Sequence, residues 1–324
     1  MPMTLSLILT AIQNLKWEDK FYKIFVTNYF FCSSYPLWAA DLKNRPAYNL
    51  FIPDYNLFIN KFKHGEILEK SIQLNQESNV LMRVSRLMKS YGGLKAVDDV
   101  SFEIYTGEIF ALVGDNGAGK STLVKALSGA TPQDSGSIEF DGKPVKLAKP
   151  RDADEIGIGC LYQGLGLVDA LNVPENVFLG QEIQKQILGF IPQLDHVQMR
   201  EKTIELLQQF GVDLPKVNDP VVNLSGGQRQ TVAISRLLLK NVKLVIMDEP
   251  MAALGVDEGS KVLKLIENMK SKNISVIVIS HNLEHVFKLA NRIAVMKNGK
   301  LVNIVDTSSA SRESVVKMIT FGKD

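Results

Sequence analysis

The stretch Gly114-Asp115-Asn116-Gly117-Ala118-Gly119-Lys120-Ser121-Thr122 constrains the fold of this chain more than any other. It follows Ile109-Phe110-Ala111-Leu112-Val113, a continuous apolar run of the kind that forms a strand buried on both faces of a parallel sheet. After it, Leu123, Val124, Ala126 and Leu127 recur at helical spacing. Strand, glycine-rich turn and helix in that order, spelling G-x-x-x-x-G-K-S, make a phosphate-binding loop in its required context. The glycines let backbone N–H groups wrap a β-phosphate, and the helix start places a positive dipole end beside it. In this arrangement Lys120 neutralises β/γ oxygens and the Ser121 hydroxyl ligates Mg²⁺.

A second buried run, Leu244-Val245-Ile246-Met247, ends in the adjacent carboxylates Asp248 and Glu249. Phosphoryl transfer needs both charge neutralisation and an oriented nucleophile. Asp248 is assigned to the metal and Glu249 to the base that polarises water. Upstream stands Leu224-Ser225-Gly226-Gly227-Gln228, followed by apolar spacing at Val232, Ala233, Leu237 and Leu238. Ser225 is expected to cap that helix and aim its N-terminus at an anion.

With these three elements in order, the sequence resembles the ATP-binding-cassette (ABC) family from Met82 to about Gly322. The resemblance implies an α/β fold: a P-loop NTPase with a RecA-like parallel core, an antiparallel β subdomain near Met82–Ile104 and Ser137–Val145, and an inserted helical subdomain at about 164–222. Alternation of apolar strands with amphipathic helices agrees with a doubly wound core. Within the inserted region, Asp195 followed by Gln198 suggests a helix start, with the helix running to Gly211. Val262, Leu263, Leu265, Ile266 and Met269 mark another amphipathic helix.

The same resemblance gives roles to single residues. Tyr91 matches the aromatic that stacks on adenine. Gln163 matches the glutamine linking the Mg²⁺ site to the helical subdomain, and His281 matches the histidine that contacts the γ-phosphate. The implied cofactors are ATP and Mg²⁺. One chain carries one phosphate loop and one signature, so the resemblance implies a head-to-tail pair of cassettes in which Ser225, Gly226, Gly227 and Gln228 act on the partner's nucleotide. Two positions depart from the usual family wording. Gly255 stands where most cassettes have Asp, and Met251 stands where Thr is usual, a change able to alter packing around the Mg²⁺ without touching the general base.

A rival metal reading comes from His281-Asn-Leu-Glu284-His285, which fits H-x-x-E-H. That pattern belongs inside a helix, whereas His281 follows the apolar strand Ser275–Ser280. Only Cys32 and Cys160 occur, so neither a disulfide framework nor a cysteine-rich metal cluster is available, and a reducing compartment fits best. Cys160 reads as a small core residue. The formal charge of +2 supplies no field to select a nucleic acid.

Composition changes near residue 80. Of the 25 aromatic residues 14 precede residue 81, against one glycine of 23, Gly65. Residues 1–81 show no sustained periodicity and receive no fold assignment. Met1–Ile12 is too short to span a membrane, and Ile24–Ala40 is interrupted by Asn28, Ser33, Ser34 and Pro36. Met82 is the expected natural start, with residues 1–81 either an aromatic-rich lineage-specific extension or translated upstream sequence, and 82–324 the ATPase domain.

In detail, Asp248-Glu-Pro-Met-Ala-Ala-Leu-Gly255 and Ile279-Ser-His-Asn-Leu-Glu-His-Val-Phe287 resemble the single-cassette ATPases of bacterial monosaccharide importers of the fructose/ribose type. Gly255 is shared with that group. This implies a peripheral subunit on the cytoplasmic side of the cell membrane that drives a separate permease and is served indirectly by an extracytoplasmic sugar-binding protein. The competing readings are the same motor serving an amino acid, nucleoside or lipid, and a soluble cassette ATPase acting on DNA or ribosomes. The sequence shows no long heptad region, basic patch or second cassette of the kind the latter calls for.

Overall fold

The computed structural model describes residues 79–187, 190–214, 216–252 and 254–322. The two N-terminal apolar stretches and Cys32 lie outside these residues. The chain divides after Asn79, and the unit beginning at Val80 is the one described.

The unit opens with β1 (Val80–Tyr91) and β2 (Leu94–Tyr105), joined through Gly92 and Gly93. Met82 therefore lies inside a strand, fully buried, two residues past the strand's start. β3 (Ile109–Val113) leads through the glycine loop into α1 (Lys120–Leu127). β4 (Ser135–Phe140) and β5 (Lys143–Val145) complete an antiparallel sheet of order β2-β1-β4-β5. Both segments expected for the β subdomain lie in this sheet.

Next come α2 (Pro150–Ile156) and β6 (Ile158–Leu161), then the inserted region. That region holds α3 (Val173–Val177), β7 (Gln184–Ile187), β8 (Ile191–Leu194) and α4 (His196–Gln209). Asp195 caps α4 as expected, its carboxylate accepting from the Gln198 N–H. The insertion carries the expected helices together with the β7–β8 hairpin, which the sequence reading did not include. Pro192 is tolerated there because a two-stranded ribbon consists of edges, where a missing N–H breaks no second ladder.

α5 (Gly226–Leu238) follows the signature, and β9 (Leu244–Asp248), α6 (Val256–Ser271), β10 (Ser275–Ile279) and α7 (Leu283–Leu289) alternate after it. β11 (Arg292–Lys297), β12 (Lys300–Asp306) and α8 (Arg312–Phe321) end the unit. The central sheet has order β12-β11-β3-β10-β9-β6; its pairs are parallel except the β11–β12 hairpin. β3 and β10 are buried at every residue, which is why they read as unbroken apolar runs rather than alternations.

One apolar core joins the antiparallel sheet, α1 and one face of the central sheet, including Met82, Phe110, Leu123 and Ile246. A second fills the opposite face beneath α5 and α6, with Ile234, Met247, Ile266 and Val278. Burying each such side chain contributes about 1.5–3 kcal/mol. The sheet is thus clamped on both faces, and the carboxyl ends of β3, β9 and β10 emerge side by side. In open α/β sheets that edge is where ligands bind.

The inserted region has its own core, built around Val173, Val177, Met199, Leu207, Val221 and Val232. Asn176 is fully buried beside it. Its Oδ1 accepts from the Val168 N–H at 2.8 Å, and its Nδ2 donates to the carbonyls of Val168, Leu171 and Asn172 at 3.0–3.1 Å. Replacing Asn176 with Ala leaves the Val168 N–H without its acceptor, while the three carbonyls keep the backbone N–H groups of Leu171, Val221 and Asn176, so unfolding free energy from denaturant titration should fall by about 2 kcal/mol. A loss below about 0.5 kcal/mol would show that the loop satisfies itself another way.

Candidate active site

The loop after β3 is shaped by close backbone approach. Gly114 has φ 151° and Gly119 φ 101°. A Cβ at Gly114 would land on the Met296 carbonyl oxygen, and one at Gly119 on that of Ala96. Gly119 occupies the N-cap of α1 and no side chain caps it, so the first-turn N–H groups are left for a ligand. Lys120 Nζ donates to the carbonyls of Gly114 at 2.7 Å and Asp115 at 2.9 Å, which curls the side chain over the loop. Burial pushes the Lys120 ammonium pKa down, opposed by the charges of Glu249, Asp248 and Asp115.

The loop, from Gly114 to Thr122, lines an open cleft of about 1100 Å³. Tyr91, Gln163, Asp248, Glu249 and His281 line the same cleft. Tyr91 is 47% exposed at its rim, with Lys89 Nζ 5.7 Å from its ring centroid. Asp248 Oδ2 lies 3.5 Å from Ser121 Oγ. Burial raises the Asp248 carboxyl pKa, and the neighbouring Glu249 charge adds to the rise; the Ser121 contact and Lys120 oppose it.

Glu249 leaves β9 with φ 51°, a left-handed conformation uncommon for a side chain of this kind. Its N–H donates to the Ile279 carbonyl at 3.0 Å, tying it to the end of β10. The Oε1 atom accepts from the His281 backbone N–H at 3.0 Å and lies 2.8 Å from His281 Nδ1. An ionised carboxylate only accepts, so Nδ1 carries the proton in this contact. His281 stands outside α7, while His285 lies within it, so the two histidines do not share a helical face as H-x-x-E-H requires.

Ser225, Gly226, Gly227 and Gln228 are not part of this cleft lining. Ser225 caps α5 as expected: its Oγ accepts from the Gln228 N–H at 3.4 Å, and Gln228 Oε1 accepts from the Ser225 N–H at 3.0 Å. Gln228 thus completes a reciprocal capping box, a structural task its sequence reading did not include. An added Cβ on Gly227 would stand 2.7 Å from Glu258 Cβ, so α5 and α6 meet in close contact there.

The two departures from family wording are placed differently by the fold. Met251 is buried in the apolar core and does not line the cleft. Gly255 is the N-cap of α6 at φ −66°, ψ 165°, with open space where a Cβ would go. The backbone there does not demand glycine. Sequence reading also missed Asn176, Ser128 and Arg236, whose partners are backbone groups or a hydroxyl distant in the chain.

Comparison with known proteins fits this geometry. The ABC transporter family model matches residues 97–252. The chain is 41% identical over 241 residues to the fructose import ATP-binding protein FrcA of Rhizobium meliloti, covering 74% of this chain and 93% of that protein. Identity to the xylose/arabinose import ATP-binding protein XylG of Sulfolobus acidocaldarius is 40% over 240 residues, covering 74% and 94%. Against the ribose import ATP-binding protein RbsA of Clostridium perfringens it is 36% over 243 residues, 75% of this chain but only 48% of that protein. Among solved structures, a nucleotide-free ATP-binding cassette from an ABC transporter superposes with a TM-score of 0.64 at 25% identity, covering 74% of this chain and 95% of that one. The chain belongs to the ABC transporter family, as a nucleotide-binding cassette ATPase. No helix among the described residues is long and apolar enough to cross a membrane.

Cys160 lies on β6 near Ser128 and Tyr162, and burial pushes its thiol up to about 12. The thiolate fraction near neutral pH then falls about a thousandfold below that of a free cysteine. Site-resolved iodoacetamide labelling of the folded chain at pH 8 should leave Cys160 unmodified while denaturant exposes it. Rapid labelling of the native fold would contradict its burial.

Proposed function

We infer that this chain is the ATP-hydrolysing subunit of a sugar importer, acting at the cytoplasmic face of the cell membrane on a separate permease. The observation that carries the reading is the division of its motifs. The phosphate loop, Asp248, Glu249 and His281 line one cleft, while the signature Ser225–Gln228 sits at another helix N-terminus outside it. A second copy placed head to tail would bring its signature over this cleft, and ATP would be enclosed between two chains. The import ATPases of 40–41% identity named above support the sugar class. We also propose residues 82–324 as the ATPase domain, with the insertion at about 164–222; β1 adds Val80 and Leu81.

ATP is held by the chain's own groups. Tyr91 stacks on adenine at the cleft rim, and the first-turn N–H groups of α1 donate to the β-phosphate. Lys120 exchanges its contacts with the Gly114 and Asp115 carbonyls for β/γ oxygens. Mg²⁺ fits the oxygen donors here: Ser121 Oγ and Asp248 Oδ2 are 3.5 Å apart, Gln163 is on the same cleft, and the adjacent carboxylates Asp248 and Glu249 repel each other. Ser121, Gln163 and Asp248 would hold it, and when bound it neutralises charge on the phosphate oxygens. Glu249, oriented by the His281 N–H and ring, accepts a proton from water as the water oxygen bonds the γ-phosphorus and the bond from that phosphorus to the β–γ bridging oxygen breaks, releasing ADP and phosphate. His281 Nε2, opposite the nitrogen bound to Glu249, donates to a γ-phosphate oxygen in the imidazolium form, in which both ring nitrogens carry protons.

Glu249→Gln keeps the shape and the acceptor oxygen facing His281 but removes the base. ATP affinity should stay within about threefold of wild type, turnover should fall at least about a hundredfold, and ATP should hold a dimer on size-exclusion chromatography. Unchanged turnover would refute the assigned base, and a chain that stays monomeric with ATP would refute the shared site.

A further inference from the structure

Gln163 enters the cleft from the loop between β6 and α3, and the residues flanking it are tied to two different helices. On the upstream side, the Tyr162 hydroxyl is 2.7 Å from Ser128 Oγ. Ser128 is buried at the C-cap of α1, the helix whose N-terminus forms the phosphate site. Ser128 Oγ also lies 3.3 Å from the Lys125 carbonyl, to which it donates, so the proton of the shorter contact comes from Tyr162.

Downstream, Arg236 reaches from the last turn of α5. Its Nη1 donates to the Gly166 carbonyl at 2.6 Å and its Nη2 to the Leu165 carbonyl at 2.9 Å. The guanidinium is half-buried, and burial lowers its pKa with no carboxylate acting against it. Among the described residues it forms no ion pair. A half-buried cation without a counter-charge is costly unless hydrogen-bonded, so the two carbonyls hold the arginine as firmly as it holds them. Gly166 suits the approach: its φ of 60° is one that L side chains rarely adopt, and a Cβ there would stand 3.3 Å from Arg236 Nη2, so the guanidinium would have to give by a small shift. The fork geometry needs Arg: a lysine ammonium is a point donor on a flexible stem.

These contacts span the loop from Tyr162 to Gly166, with Gln163 between them. We propose that Tyr162 and Arg236 are positioning residues that set where Gln163 stands in the cleft, by fastening its loop to α1 on one side and to α5 on the other. α5 begins at the signature, Ser225–Gln228, so a displacement of that helix when a second cassette engages it is delivered to Gln163 through Arg236. The anchoring stands on geometry alone; its consequence for turnover rests on the ATPase reading above.

The test combines amide exchange with a double-mutant cycle on the full chain. Arg236→Leu should speed exchange of the Val168 and Leu171 amides about tenfold and lower kcat about tenfold, with the Kd for ATP measured without Mg²⁺ changed less than about twofold. Arg236→Lys, which keeps the charge and one donor, should recover part of kcat, and Tyr162→Phe should lower kcat in the same way. In a Gln163→Ala background, Arg236→Leu should cost less than about a further twofold, because the residue it acts through is gone. Effects that multiply fully in the double variant, or exchange at Val168 and Leu171 that does not change, would overturn the proposal. If the wild-type chain turns over no ATP, the ATPase reading fails, and the exchange arm still decides whether Arg236 anchors the loop.

Discussion

The constraint on which the rest depends is the passage from β3 to α1. The chain must leave a strand buried on both faces and enter a helix with its first-turn N–H groups uncapped, within six residues. Gly114 and Gly119 make this possible by passing against the carbonyls of Met296 and Ala96, where any side chain would collide. Those two carbonyls belong to β11 and β2, so the loop's shape is set by both sheets at once. The phosphate site is accordingly a property of the assembled fold and not of the motif in isolation.

The same edge of the sheet organises the chemistry. Glu249 and His281 follow neighbouring parallel strands, and the Glu249 N–H bond to Ile279 holds the two exits in register. The left-handed backbone at Glu249 costs on the order of 1 kcal/mol, and it is offset by that bond and by the two contacts from His281. Strain and hydrogen bonds together give the carboxylate a single orientation. Asp248 remains on the strand itself, facing Ser121 across the start of α1. Two adjacent acids are thereby given different partners by one backbone turn.

Legibility from sequence followed the range of each interaction. The glycine loop, the β9 carboxylates and the Ser225 cap could be read because each is written within a few consecutive residues, and their strands are apolar throughout. The β7–β8 hairpin was not read, because Gln184–Leu194 is exposed on both strands and shows neither an apolar face nor a clean alternation. Arg236 also escaped: its partners are carbonyls 70 and 71 positions away, and a carbonyl carries no residue type to recognise. Met251 stands two residues after Glu249, yet its side chain joins the apolar core and not the cleft, a separation that adjacency in sequence does not show. Roles for Tyr91, Gln163 and His281 rest on family resemblance; the residues alone give a packing aromatic, a surface glutamine and, at His281, a rival metal motif.

The central claim is that close backbone approach, more than any single charge, creates the phosphate site. It is tested most directly by equilibrium ATP binding to Gly119→Ala beside wild type, with far-UV circular dichroism confirming that both remain folded. The account predicts that a methyl group forced against the Ala96 carbonyl displaces the first turn of α1 and weakens ATP binding at least about a hundredfold while the sheets persist. Affinity within about threefold of wild type in a folded variant would contradict it.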